Sequence, residues 1–398
     1  MKLALVTAFP PSKGSLNEYG FHLTREFLAN PKVDELVIIG DRLESEFEET
    51  VIHDKLTVSR VWDFNTPSSL FKILRSLHRQ KVDGVVFNLQ TATFGDQEIP
   101  AALGLFTPLI ARLCGIRSGV LAHNLIEAID LENTILKGNR FRQSLVKCGG
   151  WATSWAMANA SYVTTTLDIY ADLLRKRFPR ADIHMVPHGT FERPDIKLPS
   201  IWKRPNRIVT MGKFGTYKKL DTLLAAFERL VEKDETLELI IGGEDHPNTP
   251  GYMKSIKTRY RHLKSVVFAG YIPEEAVSEF FANARLAVFD YEATTGSSGV
   301  LHQCASFGAV PVFPRIGDFV ELCEREGMDG FHYSPGSASE MELAIRSALS
   351  DVDELVEVSE NNLQASAEMP LSEVAEFHVN KLLEQKKADR AEMPAFSV

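Results

Sequence analysis

Short apolar runs alternate with amphipathic stretches from one end of the chain to the other. Residues 3–9 (LALVTAF) are almost wholly apolar, the pattern of a strand buried on both faces, and 17–29 (NEYGFHLTREFLA) has apolar residues at helical spacing. Further strands are predicted over 33–41, 84–90 and 118–124, with a helix over 99–115 between the last two. Continuous Val/Ile/Leu runs, rather than strict alternation, mark parallel strands covered by helices. The alternation of strand and helix then argues an α/β fold with a doubly wound sheet.

Residues 161–178 read as a strand followed by a helix, and 183–191 as a strand ending in a turn. The proline-bearing stretch 192–207 has no apolar period and reads as a linker. After it the alternation restarts: RIVTMGKF, LELIIGGED, SVVFAGYI, RLAVFDYE and VPVFP as strands, TLLAAFERLVEKD, EEAVSEFFANA and SGVLHQCASFG as helices. Two Rossmann-like domains are therefore expected, one over 1–195 and one over 205–380, with a fraying polar tail over 381–398.

Composition narrows the function. Of 398 residues 44% are hydrophobic and 24% charged, which suits a globular protein and excludes a disordered chain. No apolar run approaches the ~18 residues of a membrane span. The net charge of −9 argues against a nucleic-acid partner, which needs a basic field. Four scattered cysteines form no CxxC, so zinc and disulfide readings lack their spacing and a reducing, cytoplasmic setting is expected. Lys137, Arg140, Arg142 and Lys147 lie close to Trp151 and Trp155, so 137–155 is a candidate for peripheral contact with the inner face of a membrane. A solvated helix followed by a core helix with buried tryptophans is the favoured reading of that segment.

The candidate chemistry gathers in turns that follow strands of the second half, where open α/β sheets bind ligands. Gly212 and Lys213, with Lys218 five residues on, put cations where a diphosphate would sit. Thr295, Gly296, Ser297, Ser298, Gly299 and Val300 open a helix after an apolar strand, and a helix N-terminus is an anion site. Gly243 with Glu244, and Gly270 with Tyr271 and Ile272, expose backbone suited to a base or ribose edge. There is neither a GxGxxG after the first strand nor a GxxxxGK[ST], which counts against nicotinamide, flavin and P-loop sites. No DxD-type metal motif stands out.

In this order the pieces resemble the C-terminal half of a family 4-like glycosyltransferase with the GT-B fold. Gly212, Lys213, Lys218 and Asp221 match the spacing of its G-R-x4-K-G-x-D loop, with Lys213 replacing Arg. Val266 to Gly270 matches V-x-F-x-G, and the run from Ala305 through Gly308 to Pro311 and Val312 is similar to A-x-x-G-x-P-V with one extra residue before the Pro. The family's E-x7-E is here T-x7-Q, Thr295 and Gln303, so both carboxylates are missing. In the first half the resemblance rests on Pro10 to Gly20, on Ala122-His123-Asn124 and on Val186-Pro187-His188-Gly189.

The resemblance implies two Rossmann-like doubly wound domains facing across a cleft, and transfer of a hexose from a nucleoside-diphosphate sugar to an acceptor hydroxyl. It implies retention of configuration, with neither metal nor resident cofactor. His123 would contact the donor sugar, Lys213 and Lys218 would stabilise the leaving diphosphate, and Gln303 would hydrogen-bond a ribose. Gly14, Ser15, Asn17 and Tyr19 would form the acceptor-side loop, for a carbohydrate, lipid-linked or small-molecule acceptor. His188, in a turn close to the domain joint, would take a hinge or cleft-lining role, and Glu127 would act as base if the enzyme inverted. A sugar-nucleotide epimerase and a non-catalytic nucleotide-sugar-binding protein are the alternatives, the latter suggested by the missing carboxylates.

Overall fold

A computed structural model describes residues 1–43, 53–128, 140–191, 197–293 and 296–392. The chain forms two compact units, Met1–His188 with Leu371–Val398, and Gly189–Pro370.

The first unit carries seven strands: β1 (Lys2–Val6), β2 (Glu35–Asp41), β3 (Leu56–Trp62), β4 (Gly84–Leu89), β5 (Ser118–Ala122), β6 (Tyr162–Thr165) and β7 (Ile183–Met185). Between them lie the helices α1 (Asn17–Ala29), α2 (Ser69–Gln80), α3 (Glu98–Leu113), α4 (Arg140–Ala158) and α5 (Asp168–Arg177). The strands lie in the order β3-β2-β1-β4-β5-β6-β7, and every pairing is parallel. The central strands β1, β4 and β5 are buried almost throughout, which is why they read as unbroken apolar runs.

The second unit repeats the plan with β8 (Arg207–Phe214), α6 (Asp221–Val231), β9 (Glu238–Asp245), α7 (Tyr252–Arg259), β10 (Val266–Gly270), α8 (Glu274–Ala282), β11 (Leu286–Val288), α9 (Gly299–Ser306), β12 (Val310–Pro314), α10 (Gly317–Glu326), β13 (Phe331–Tyr333), α11 (Ala338–Ser350) and α12 (Val352–Ala367). Its sheet order is β10-β9-β8-β11-β12-β13, again all parallel. Ile208, Leu239, Ile241, Leu286 and Val312 on the sheet and Leu223, Phe227 and Ile345 on helices build one apolar core. In both units the strand order reverses beside the first strand, the point at which open α/β sheets bind ligands.

Three expectations need correction. The predicted tail over 381–398 is, up to Glu392, the end of helix α13 (Leu371–Glu392) of the first unit; 393–398 lie outside the described residues. Leu371, Val374, Ala375, His378, Val379 and Leu382 are buried at helical spacing, a stripe that the surrounding Lys and Glu residues conceal in a hydropathy reading. The domain that begins after the linker therefore ends at Pro370, and the boundary before it falls after His188 rather than at 195. The tryptophans of α4 are not buried: Trp151 and Trp155 are 50% and 39% exposed. The small residues Thr153, Ser154, Ala156 and Ala158 take the inner face instead.

Candidate functional site

The reversal point of the second sheet lies between β8 and β11. The loop from β8 into α6 and the loop from β11 into α9 are stitched together there. Lys218 and Tyr291 form an isolated antiparallel bridge. Lys219 N–H donates to the Asp290 carbonyl and Glu292 N–H to the Tyr217 carbonyl, both at 2.8 Å. The Lys219 ammonium and the Glu292 carboxylate pair at 2.8 Å across the same seam, so Glu292 is engaged structurally.

Asp290 then fixes the start of α6. Its Oδ2 accepts the N–H groups of Thr222 at 2.9 Å and Leu223 at 3.1 Å. Burial pushes this carboxyl up to about 6, against the pull of those two donors. Asp221 has a local task as well: it pairs with Arg259 and accepts the Tyr252 hydroxyl at 2.8 Å.

Lys218 lies with its Nζ 4.6 Å from the centroid of the Tyr291 ring and 6.0 Å from that of Tyr217. Burial works against the ammonium, but the neighbouring phenols outweigh it and hold the pKa above its ordinary value. The group is a cation at neutral pH. Lys213 is exposed. Burial, and then the charges of Lys213 and Lys218, push the His246 imidazole below its ordinary value, so both cations act on the same neighbourhood.

Glycines shape the strand ends beside them. At Gly243, with φ of 135°, a Cβ would fall 1.9 Å from the Gly212 carbonyl oxygen, so no other residue fits. Gly270 has a positive φ and open space around it, and Tyr271 after it is 43% exposed. Ile272 packs over Gly242, where a Cβ would meet its Cγ1 at 2.6 Å. Glu244 is exposed at the end of β9.

Ser298 caps α9, its hydroxyl accepting from Leu301 N–H at 3.4 Å. Gly296, Ser297, Gly299 and Val300 around it are half-buried, and Gln303 on the following turn is buried. Thr295 lies outside the described residues. Sequence reasoning missed His302. Its Nδ1 is 2.9 Å from the Ser298 carbonyl and its Nε2 2.8 Å from the buried Glu326 carboxylate. The i,i+4 spacing to Ser298 was visible in the sequence, but the partner 24 residues on was not.

The first unit gathers a second cluster at the ends of β1, β4 and β5. Asn88 Nδ2 donates to Thr7 Oγ1 at 3.0 Å, which orients the amide and leaves Oδ1 facing His123 Nε2 at 2.7 Å. His123 is therefore the Nε2–H tautomer. Burial pushes its pKa down to about 3, so the ring is neutral. Tyr19 stands edge-on to His123 and His188, with centroids 4.5 and 4.8 Å away, and donates its hydroxyl to the His188 carbonyl at 2.7 Å.

Asn17 is tied within the acceptor-side loop, donating to the Ser12 carbonyl at 2.7 Å. At Gly14 a Cβ would meet Ala8 Cβ at 2.8 Å, and Ser15 is exposed. Glu127, weighed as a base, is ion-paired with Arg177. Among the described residues there is no group of three or more His, Cys, Asp or Glu side chains that could hold a metal ion, and no helix long and apolar enough to cross a membrane.

With this geometry in hand, comparison with known proteins is informative. Residues 205–351 match the family model of glycosyl transferases group 1. No curated protein matches the chain in sequence. Among solved structures, a sucrose-phosphate synthase from Thermosynechococcus elongatus superposes with a TM-score of 0.73 at 15% identity, over 98% of this chain and 100% of the other. HepE of Anabaena in complex with UDP-glucose gives 0.67 at 15% identity, over 97% and 100%. WaaG, a glycosyltransferase involved in lipopolysaccharide biosynthesis, gives 0.66 at 15%, over 96% and 99%. The resemblance read from the motifs is borne out, and each unit has the parallel Rossmann-like sheet expected of that fold.

Proposed function

We propose that this chain, whose second unit carries the group 1 glycosyltransferase module, transfers a hexose from a nucleoside-diphosphate sugar to an acceptor hydroxyl. The observation that carries the reading is the seam at the second sheet's reversal point. There a half-buried lysine ammonium and the N-terminus of α9 are held on two loops bridged by Lys218 and Tyr291.

Glycosyl transfer leaves negative charge on the departing diphosphate. Preorganised cations and N–H groups stabilise that charge best where water is scarce. Lys218 supplies a fixed cation, Lys213 a second and exposed one, and the Ser298–Gly299 turn free N–H groups. This set replaces a metal as the source of positive charge. Gly243, Glu244 and 270–272 lie one and two strands further along the sheet, and we assign them to the nucleoside. Gln303 and Thr295 lack the carboxylates of E-x7-E, and Gln303 still offers an amide to a ribose hydroxyl. Retention of configuration follows the family resemblance.

On the first unit we assign His123 to hydrogen bonding with a sugar hydroxyl, since a neutral ring with Nε2–H committed to Asn88 is no proton donor at neutral pH. Gly14 and Ser15 are assigned to the acceptor, whether carbohydrate, lipid-linked or small molecule. Asn17 and Tyr19 hold the loop and the His188 carbonyl rather than the ligand. The exposed indoles of Trp151 and Trp155 support peripheral membrane contact. Replacing both with Ser should weaken co-sedimentation with anionic vesicles, and unchanged sedimentation removes that assignment.

HepE is solved with UDP-glucose, which makes UDP-sugars the first donors to try. The test is to incubate the protein with UDP-, GDP- and ADP-sugars and follow release of nucleoside diphosphate with and without acceptors. Release that needs an acceptor supports transfer. An altered but intact sugar nucleotide would indicate epimerisation, and thermal protection without turnover a binding protein.

A further inference from the structure

Tyr291 is 2% exposed, and its hydroxyl is buried without a well-formed hydrogen bond among the described residues. The equally buried Tyr19 and Tyr333 donate to the carbonyls of His188 and Phe289, and Tyr162 reaches His378 Nδ1. A buried phenol left unpaired costs stability, and such exceptions concentrate where a ligand completes the set.

The surroundings show what the hydroxyl lacks. Its ring is held edge-on by Phe289 and Tyr217 and tilted against Phe319. The Lys218 ammonium lies against the ring, and the Lys218 and Ser298 side chains are the polar groups that act on the phenol. An ammonium has three donors and no acceptor, so it offers nothing to the phenol proton. The Ser298 hydroxyl caps α9, accepting Leu301 N–H at 3.4 Å, and no hydrogen bond of ordinary geometry joins it to the phenol. What is missing is an acceptor, in a place where two loops already present a cation and a helix N-terminus. Burial keeps the phenol protonated, with Lys218 pulling the other way. The hydroxyl of Thr216, in the same loop as Lys218, is likewise buried without a hydrogen-bond partner among the described residues.

We infer that the Tyr291 hydroxyl donates a hydrogen bond to a diphosphate oxygen of the bound nucleotide, as a third arm beside Lys218 and the Ser298–Gly299 turn. The inference rests on the proposed donor site. It assigns Tyr291 to ligand binding rather than to the core in which its ring is packed.

The experiment is calorimetric titration of wild type and Tyr291→Phe with whichever of UDP, GDP and ADP the wild type binds, together with the melting temperature of each protein without ligand. Phe keeps the ring under Lys218 and removes only the hydroxyl. The expected result is an affinity weaker by roughly 5- to 10-fold and a melting temperature unchanged or raised. Unchanged affinity in Tyr291→Phe, with nucleotide still bound, overturns the inference and leaves the donor site standing. Loss of affinity together with a lowered melting temperature makes the hydroxyl structural and also overturns it. Failure of the wild type to bind any of the three nucleotides overturns the inference and the proposed function together.

Discussion

His302 Nδ1 lies 2.9 Å from the carbonyl oxygen of Ser298, one turn back along α9. The other nitrogen is 2.8 Å from Glu326, a carboxylate that Arg325 also bonds at 2.6 Å. A buried ion pair thus fixes the first turn of the helix whose N-terminus we assign to the diphosphate.

Burial opposes the charge on both partners, but each outweighs it for the other: His302 is raised above its ordinary pKa and Glu326 lowered below its own. A raised imidazole contributes stability that is complete below its unfolded value and lost as pH rises through the folded one. A lowered carboxylate contributes stability that is complete above its unfolded value and lost as pH falls through the folded one. The pair should therefore contribute most between the ordinary values of 4.5 and 6.5. The melting-temperature difference between wild type and His302→Gln should peak in that window and shrink at alkaline pH. Removing one partner of a buried pair typically costs about 3–5 kcal/mol. A difference independent of pH would mean that the pair is uncharged.

Lys218 and Lys213 should separate by function. Lys218→Ala removes the fixed cation and should lower turnover by ~10²- to 10³-fold with little change in melting temperature. Lys213→Ala removes an exposed cation and should cost less. Steady-state release of nucleoside diphosphate measures both, and unchanged turnover in Lys218→Ala would remove it from the site.

Two glycines should fail in different ways. Gly243→Ala forces a Cβ to within 1.9 Å of the Gly212 oxygen at a positive φ, so the ligand-free protein should melt lower. Gly299→Val should leave the ligand-free melting temperature near that of wild type but abolish thermal protection by nucleotide, because the side chain covers the N–H groups of the turn. Protection that survives Gly299→Val would place the phosphates elsewhere.

His123 should stay neutral through the physiological range. Its pKa of about 3 and the Asn88 bond predict one unchanging Nε2–H tautomer between pH 5 and 8 in ¹⁵N-resolved NMR spectra, since pH 5 is two units above that value. Titration near the ordinary imidazole value would show that the ring is hydrated and free to act as an acid.

Much of this was legible in the chain because parallel strands buried on both faces leave unbroken apolar runs, as at 3–9, 84–90 and 118–124. The loops around Lys218 and Ser298 stood out because glycines, hydroxyls and lysines follow apolar strands there. What escaped depends on distant partners. Strand β3 is an edge strand, half-exposed from Thr57 to Val61, and gives no apolar run. Helix α13 hides its stripe among charges and returns to the first unit. The cap that Asp290 places on α6 spans 68 and 67 residues, and the Tyr19 hydroxyl reaches 169 residues along the chain. Local pattern carries no record of such pairings.

The central claim is that the reversal point of the second sheet binds the diphosphate of a sugar nucleotide. A crystal structure of the protein grown with its preferred nucleoside diphosphate tests it most directly. The account predicts phosphate oxygens at hydrogen-bonding distance, about 3 Å, from Lys218 Nζ and from the N–H groups of the Ser298–Gly299 turn. Phosphates bound away from both loops, with Lys218 still folded against Tyr291 and touching no ligand, would contradict it.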